Sequence, residues 1–144
     1  MSEQIWWYVA RSGGIVALFL AFASVLWGLL LTTRLLQGRP SPRWLLDLHR
    51  FLGGATVVFT AIHVAGLMLD SYVSFGWSDV LVPLAADWKP GAVAWGVVAM
   101  WLLVAVEVTS LLMRHLPRRL WRFVHFGSYA MAWTGLVHGA LAGT

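Results

Sequence analysis

Residues 44–69, WLLDLHRFLGGATVVFTAIHVAGLML, decide the fold of this chain. The segment is longer than the roughly twenty apolar residues that a helix needs to cross a bilayer, so it predicts a membrane-spanning helix. It also contains two histidines, His49 and His63, fourteen residues apart. Imidazole inside lipid is costly and needs a partner, which favours ligation over packing.

A second segment repeats this pattern. Residues 120–141, LWRFVHFGSYAMAWTGLVHGAL, contain His125 and His138, thirteen residues apart. Two further apolar runs, 7–33 and 91–113, are also long enough to cross a membrane. The connections are too short to fold independently. We therefore expect an all-α membrane protein, a four-helix transmembrane bundle, with residues 1–144 as one domain.

Composition excludes several kinds of chemistry. The 144 residues are 60% hydrophobic and 11% charged, as expected for a membrane protein. There is no cysteine, which excludes iron–sulfur ligation, disulfides and thiol catalysis. The first apolar run lacks the short core and cleavage site of a signal peptide, so we expect it to be retained.

The basic residues predict the orientation. Eight of the ten flank the first and third connections: Arg34, Arg39, Arg43, Arg50, Arg114, Arg118, Arg119 and Arg122. The second connection contains three aspartates and one lysine: Asp70, Asp79, Asp87 and Lys89. By the positive-inside rule, the arginine-rich connections are cytoplasmic and both termini are outside. Because the net charge of +4 is explained in this way, we expect no nucleic acid partner.

Spans two and four resemble each other. Ser41 and Pro42 form a helix-start signal, and Pro117 plays a similar part before span four. His63 and His138 each follow their proline by twenty-one residues, whereas the other two histidines follow by seven and eight. Two parallel helices of a duplicated unit are one explanation; a chance echo in apolar sequence is the other. The one-residue difference between the two helices therefore lies at His49 and His125, the histidines nearer the arginine-rich face.

Depth in the membrane predicts how the histidines pair. His49 and His125 lie about two turns from the arginine-rich face and form an inner pair. His63 and His138 lie near the opposite face and form an outer pair. At 1.5 Å per residue the two pairs are about 20 Å apart along the helices. Imidazole is the usual ligand of b-type haem, so we expect two haem b groups, each held by two histidines, an arrangement suited to electron transfer.

The angle between the two histidines around the helix axis suits a shared face in span two but not in span four. Fourteen residues bring the histidines of span two within about 40° of each other, but thirteen leave His138 about 140° from His125 on an ideal helix. We therefore expect a bent or rewound helix between them, or haems that approach span four from different sides. Small residues near a ligand would leave the flat, low-relief surface that a macrocycle needs. Small residues also allow close contacts between helices, which is the alternative explanation. Five lie three or four positions from a histidine: Gly53, Gly66, Ser128, Gly135 and Ala142.

Other polar residues suggest supporting roles. Arg50 and Arg122 lie near the inner histidines and are candidates for binding haem propionates; anchoring at the membrane face is the alternative. Arg11 is a candidate near the outer pair, for a propionate or an anionic acceptor. Glu107 lies within span three, where it faces a basic partner or a proton path, unless it reaches the interface and has no special function. His115 is expected to be solvated.

These residues resemble a known family. LHRF followed by AIH in residues 48–63, and FVHF followed by LVH in residues 123–138, are similar to the paired ligand helices of the ferric reductase-like transmembrane domain. That family includes ferric reductases, NADPH oxidases and the haem subunit of the periplasmic methionine-sulfoxide reductase system. The fourteen-then-thirteen spacing is typical of it.

The resemblance implies specific roles. His49 and His125 correspond to inner-haem ligands, and His63 and His138 to outer-haem ligands, with iron as the bound metal. Family members commonly have six spans, whereas four are expected here. The oxidases and reductases also have a flavin and nicotinamide domain, and no glycine-rich dinucleotide fingerprint occurs in this sequence. The resemblance therefore implies a separate electron donor.

The leading hypothesis is a di-haem cytochrome b of the bacterial cytoplasmic membrane, an oxidoreductase component that passes electrons outward. A cytoplasmic flavoprotein would supply them, and ferric iron, oxygen or a partner reductase would accept them. One alternative is a quinol-oxidising four-helix di-haem cytochrome. Another, from a different class, is a haem-free proton channel or assembly anchor. No protein side chains form a nucleophile and base, so no catalytic residue is predicted. The oligomeric state stays open.

Overall fold

The computed structural model describes residues 2–33, 35, 41–71 and 73–143. Five helices lie in this part of the chain: α1 (Ser2–Thr33), α2 (Pro42–Leu69), α3 (Trp77–Leu81), α4 (Pro90–Leu111) and α5 (Arg118–Ala142). No strand occurs among the described residues. The expectation of an all-α membrane protein is confirmed. Two of the arginines that predicted the orientation, Arg34 and Arg39, lie outside the described residues.

Three of the helices are long and apolar enough to cross a membrane. They are the segments Gln4–Thr33, Arg43–Leu69 and Pro90–Leu111. At 25 residues α5 is long enough to cross as well, but it does not meet the same measure of hydropathy. The cause is its composition, since two histidines, a tyrosine and several small residues replace the aliphatic side chains of the other helices. The chain is a multi-pass membrane protein.

Local sequence explains where α2 begins. The Ser41 hydroxyl accepts a hydrogen bond from the Trp44 amide at 3.3 Å, and Pro42 follows in the first turn, where its missing N–H costs nothing. The predicted helix start at this position is confirmed. The long connection after α2 contains the short helix that its length allows, α3. Its last carbonyl, on Leu81, accepts a hydrogen bond from Trp101 Nε1 at 2.9 Å and so joins α3 to α4.

The four long helices pack in a ring. α1 contacts α2 and α5, and α4 contacts α5 and α2. This order places α2 and α5 on one diagonal of the bundle and α1 and α4 on the other. The helices that contain the histidines therefore face each other across the centre, and α1 and α4 support them from the sides.

Small residues form the helix contacts. Ala10, Ala17 and Ala21 on α1 are buried, and a Cβ on Gly66 of α2 would come within 2.8 Å of the Ala10 amide nitrogen. Close approach through small side chains is how membrane helices associate, because lipid removes the hydrophobic drive between them. Large apolar side chains such as Phe19 and Phe123, which are 75% and 78% exposed, point outward. Such a surface fits lipid rather than water.

Candidate functional site

The structure brings the four histidines together in the two predicted pairs. The ring centroids of His49 and His125 lie 6.0 Å apart, and those of His63 and His138 lie 6.1 Å apart. In each pair one ring comes from α2 and the other from α5. The pairing by depth that the sequence predicts is thus the pairing that the fold produces.

The separation within each pair suits a shared metal ion. Two imidazoles that bind one ion from opposite sides have centroids about 6.3 Å apart, given metal–nitrogen bonds of about 2.0 Å. Among the described residues no cluster of three or more potential metal-binding side chains occurs. A haem iron fits, since the macrocycle supplies the remaining four nitrogens.

Helix α1 orients both histidines of α2. His63 Nδ1 lies 2.6 Å from the Ala10 carbonyl oxygen, and His49 Nδ1 lies 3.0 Å from that of Ser24. A carbonyl can only accept, so these contacts require a proton on each Nδ1, which in the neutral ring leaves a lone pair on Nε2. This is the tautomer that metal ligation through Nε2 requires, held by a partner of the kind that usually supports metal-binding histidines.

Glycines on α1 make room for these rings. A Cβ on Gly14 would lie 2.8 Å from His63 Nδ1, and a Cβ on Gly28 would lie 3.3 Å from His49 Cε1. Each glycine is one turn after the residue whose carbonyl accepts, Ala10 or Ser24. Ser24 follows Ala10 by fourteen residues, and Gly28 follows Gly14 by fourteen. The two histidines that they contact have the same spacing.

Helix α4 receives the histidines of α5 in a related way. The Ala92 carbonyl oxygen lies 2.8 Å from His138 Nδ1, and a Cβ on Gly96 would lie 2.7 Å from the same nitrogen. For His125 the partner is a side chain instead: Nδ1 lies 3.3 Å from the Ser110 hydroxyl. Ser110 follows Gly96 by fourteen residues, so α4 repeats the period of α1.

A cavity of about 360 Å³ surrounds the outer pair. This volume is within the usual range of small-molecule and cofactor sites. All four long helices contribute to its walls, which are mostly apolar. Besides His63 and His138, the lining includes Arg11, Trp7, Trp88, Gly14, Gly96, Gly135 and Ala142. The residues at this end thus combine two imidazoles, one cation and a low-relief apolar surface, the combination that a haem needs.

Comparison with protein families matches residues 13–136 to the ferric reductase like transmembrane component. The chain belongs to this family. The matched segment contains three of the four histidines, and His138 lies two residues beyond its end. Family membership indicates a role in transmembrane electron transfer. Neither the curated proteins nor the solved structures contain a match to the chain.

Helix α5 of this ferric reductase-like chain is continuous. It runs from Arg118 to Ala142, with no 3₁₀ or π segment between His125 and His138. A bend or a change of winding within the helix, and haems that approach it from different sides, stay predictions. On α4, His138 meets a carbonyl and His125 meets the Ser110 hydroxyl.

Four of the five small residues near the histidines have defined neighbours. Gly135 and Ala142 line the outer cavity. Gly66 packs against Ala10 of α1, and Gly53 lies against the Glu107 carboxylate of α4. Gly66 and Gly53 therefore serve helix contacts, and the role of the small residues as a flat surface for a macrocycle stays a prediction.

The basic candidates occupy different settings. Arg11 lies in the wall of the outer cavity, where its guanidinium donates to the Gly143 carbonyl at 3.4 Å and lies 5.2 Å from the centre of the Trp7 ring. Arg50 is exposed, and its Nη1 lies 3.7 Å from Asp47 Oδ1. Arg122 is exposed in a groove lined by Arg114, Leu116, Arg118, Arg119 and Trp121. The predicted exposure of His115 in a turn is confirmed.

Glu107 has no cationic partner among the described residues. Its side chain is half-buried inside the apolar stretch of α4 and contacts Gly53 of α2. A basic partner, one of the two alternatives for this residue, is thus not found in this part of the chain, and a proton path stays a prediction. The contact with α2 also shows that the side chain turns toward the bundle rather than only toward the interface.

The supporting residues of α1 and α4 were missed by the sequence reasoning. Their signal was present as a period: Gly14 and Gly28 are fourteen apart, and so are Gly96 and Ser110. A search for the histidine spacing in the helices without histidine would have found both pairs.

Proposed function

We propose that this chain is a di-haem b cytochrome that moves electrons across the membrane. The observation that carries the proposal is the presence of two histidine pairs, each with ring centroids about 6 Å apart, on the two diagonal helices α2 and α5. When bound, haem b supplies an iron that accepts and releases one electron at a time.

His49 and His125 would hold one haem, and His63 and His138 the other. Carbonyls of Ala10, Ser24 and Ala92 keep Nδ1 protonated in three of the histidines, which leaves Nε2 as the ligand atom. With two imidazoles to hold each haem, the bound group would serve electron transfer rather than the binding of oxygen or substrate at the metal. Fourteen residues at 1.5 Å each separate the two sites by about 21 Å, a useful fraction of the bilayer.

We propose that α5 is the fourth span and that the arginine-rich end is cytoplasmic. Both ligand helices then run outward, with His49 and His125 on the cytoplasmic side. Electrons would enter from a separate cytoplasmic flavoprotein, or from quinol, and leave to an acceptor on the other side: ferric iron, oxygen or a partner reductase.

The arginines would bind the haem propionates. Arg11 is well placed for the outer haem because it lines the cavity that contains His63 and His138. Arg50 and Arg122 would serve the inner haem. For Arg50 this requires the guanidinium to leave Asp47, which costs little, since exposed ion pairs contribute at most about 1 kcal/mol.

Haem content tests the proposal. Purified protein should bind two low-spin b haems per chain, seen in reduced-minus-oxidised spectra and in electron paramagnetic resonance. His49→Ala and His125→Ala should each remove or disturb one haem, and His63→Ala and His138→Ala the other. His115→Ala, in the exposed turn, is the matched control and should keep both. A folded wild-type protein that stays colourless after reconstitution with haem would overturn the proposal. Reduction by quinol without any flavoprotein would identify quinol as the donor.

A further inference from the structure

One of the four histidines differs from the others in what holds it. Nδ1 of His63, His49 and His138 lies 2.6, 3.0 and 2.8 Å from a backbone carbonyl. Nδ1 of His125 lies 3.3 Å from a hydroxyl, that of Ser110. No backbone carbonyl serves His125 in the part of the chain that the structure describes.

The exception accompanies a change of spacing along α5. By the fourteen-residue period, the carbonyl equivalent to that of Ala92 belongs to Val106. The Thr109 hydroxyl lies 3.2 Å from that carbonyl, but its nearer acceptor is the Ala105 carbonyl, at 2.7 Å. His125 is one residue closer to His138 than His49 is to His63, a difference of about 100° around an ideal helix. The Ser110 side chain, one turn further along α4, meets the ring instead.

A hydroxyl and a carbonyl do not act alike on a metal-binding imidazole. A strong acceptor at Nδ1 increases the electron density that Nε2 donates and so stabilises the ferric ion, which lowers the reduction potential. A hydroxyl at a longer distance increases this electron density less, and so lowers the reduction potential less. We propose that Ser110 is a positioning residue that, through His125, sets the reduction potential of the inner haem apart from that of the outer one. This inference rests on the proposed di-haem function.

The chain provides a matched control at the other histidine of the inner pair, His49. The Ser24 hydroxyl lies 3.4 Å from His49 Nδ1, but the Ser24 carbonyl lies nearer, at 3.0 Å. Ser24→Ala therefore removes a hydroxyl and leaves the main acceptor in place. Ser110→Ala removes the only acceptor described for His125. Ser110→Thr keeps a hydroxyl at the same position.

The test measures the two midpoint potentials in wild type and the three variants, with each haem followed by its own ferric resonance signal. His63→Ala, which should lack the outer haem, assigns the remaining signal to the inner one. Ser110→Ala should raise the inner potential alone, by about 59 mV if the preference for ferric over ferrous iron falls tenfold. Ser110→Thr and Ser24→Ala should leave both potentials near their wild-type values.

The outcomes separate the two proposals. Two haems with unchanged potentials in Ser110→Ala, or an equal shift in Ser24→Ala, would overturn the role of Ser110 and leave the di-haem function standing. Loss of one haem in Ser110→Ala, with the other retained and rescue by Ser110→Thr, would support the role, because the hydroxyl would then be needed to hold His125. A wild-type protein without haem would overturn both.

Discussion

Gly96 lies so close to the ring of His138 that a Cβ at this position would come within 2.7 Å of Nδ1. The same relationship holds between Gly14 and His63, at 2.8 Å. Because real Cβ atoms do not approach so closely, a methyl group must displace the ring from its carbonyl partner. The room for the outer imidazoles thus depends on two glycines in helices that contain no ligand.

The first prediction concerns these glycines. Gly96→Ala and Gly14→Ala should each weaken binding of the outer haem by about 10–100-fold, the usual effect of disturbing the support of a metal ligand. The inner haem should be retained. Haem titration followed by the two ferric signals measures this. Gly54→Ala, where a Cβ would meet nothing within 4 Å, is the control. Normal outer-haem affinity in both variants would show that the rings are not held as described.

The second prediction concerns Arg11. A cation near a haem favours the reduced state, because reduction adds an electron. Arg11→Gln should therefore lower the midpoint potential of the outer haem and leave the inner one unchanged. Both arginines are exposed, but Arg50 is paired with Asp47, so Arg50→Gln should have a smaller effect on the inner haem. Equal, small shifts in both variants would argue that Arg11 does not act on the outer haem.

The third prediction concerns packing between α2 and α4. A Cβ on Gly53 would clash with Oε1 of Glu107. Gly53→Ala should destabilise the fold by about 1–3 kcal/mol, the usual cost of overpacking. Glu107→Ala in the same chain should recover most of this loss, and Glu107→Gln should recover little, because glutamine has the same shape. Thermal unfolding of the single and double variants measures the coupling. Additive effects would show that the two residues do not compete for one space.

The fourth prediction concerns topology. The natural chain has no cysteine, so a single introduced thiol reports one position without background. Ser78→Cys, in α3, should react with a membrane-impermeant reagent in intact cells. His115→Cys, in the turn before α5, should react only after the membrane is opened. Both are exposed. Reaction of both from the same side would show that α4 does not cross.

The predicted span at α5 does not agree with the low hydropathy of this helix. The prediction of a span at residues 120–141 depended on the length of this apolar run. The composition of α5 by itself is less apolar than that of the other long helices. On the proposed function, α5 faces a cofactor on one side, and its histidines and small residues would then replace aliphatic residues for a functional reason.

The sequence by itself determined the helices, the spacing of the histidines and their division into inner and outer pairs. These properties are local, because apolar length, capping residues and rise per residue act within one helix. Only the tertiary structure decided which residues hold the rings. His63 and Ala10 are fifty-three positions apart and meet at 2.6 Å, a contact that depends on how α1 packs against α2. The use of a hydroxyl for His125 and carbonyls for the other three likewise follows from the register between α4 and α5, which neither helix specifies alone.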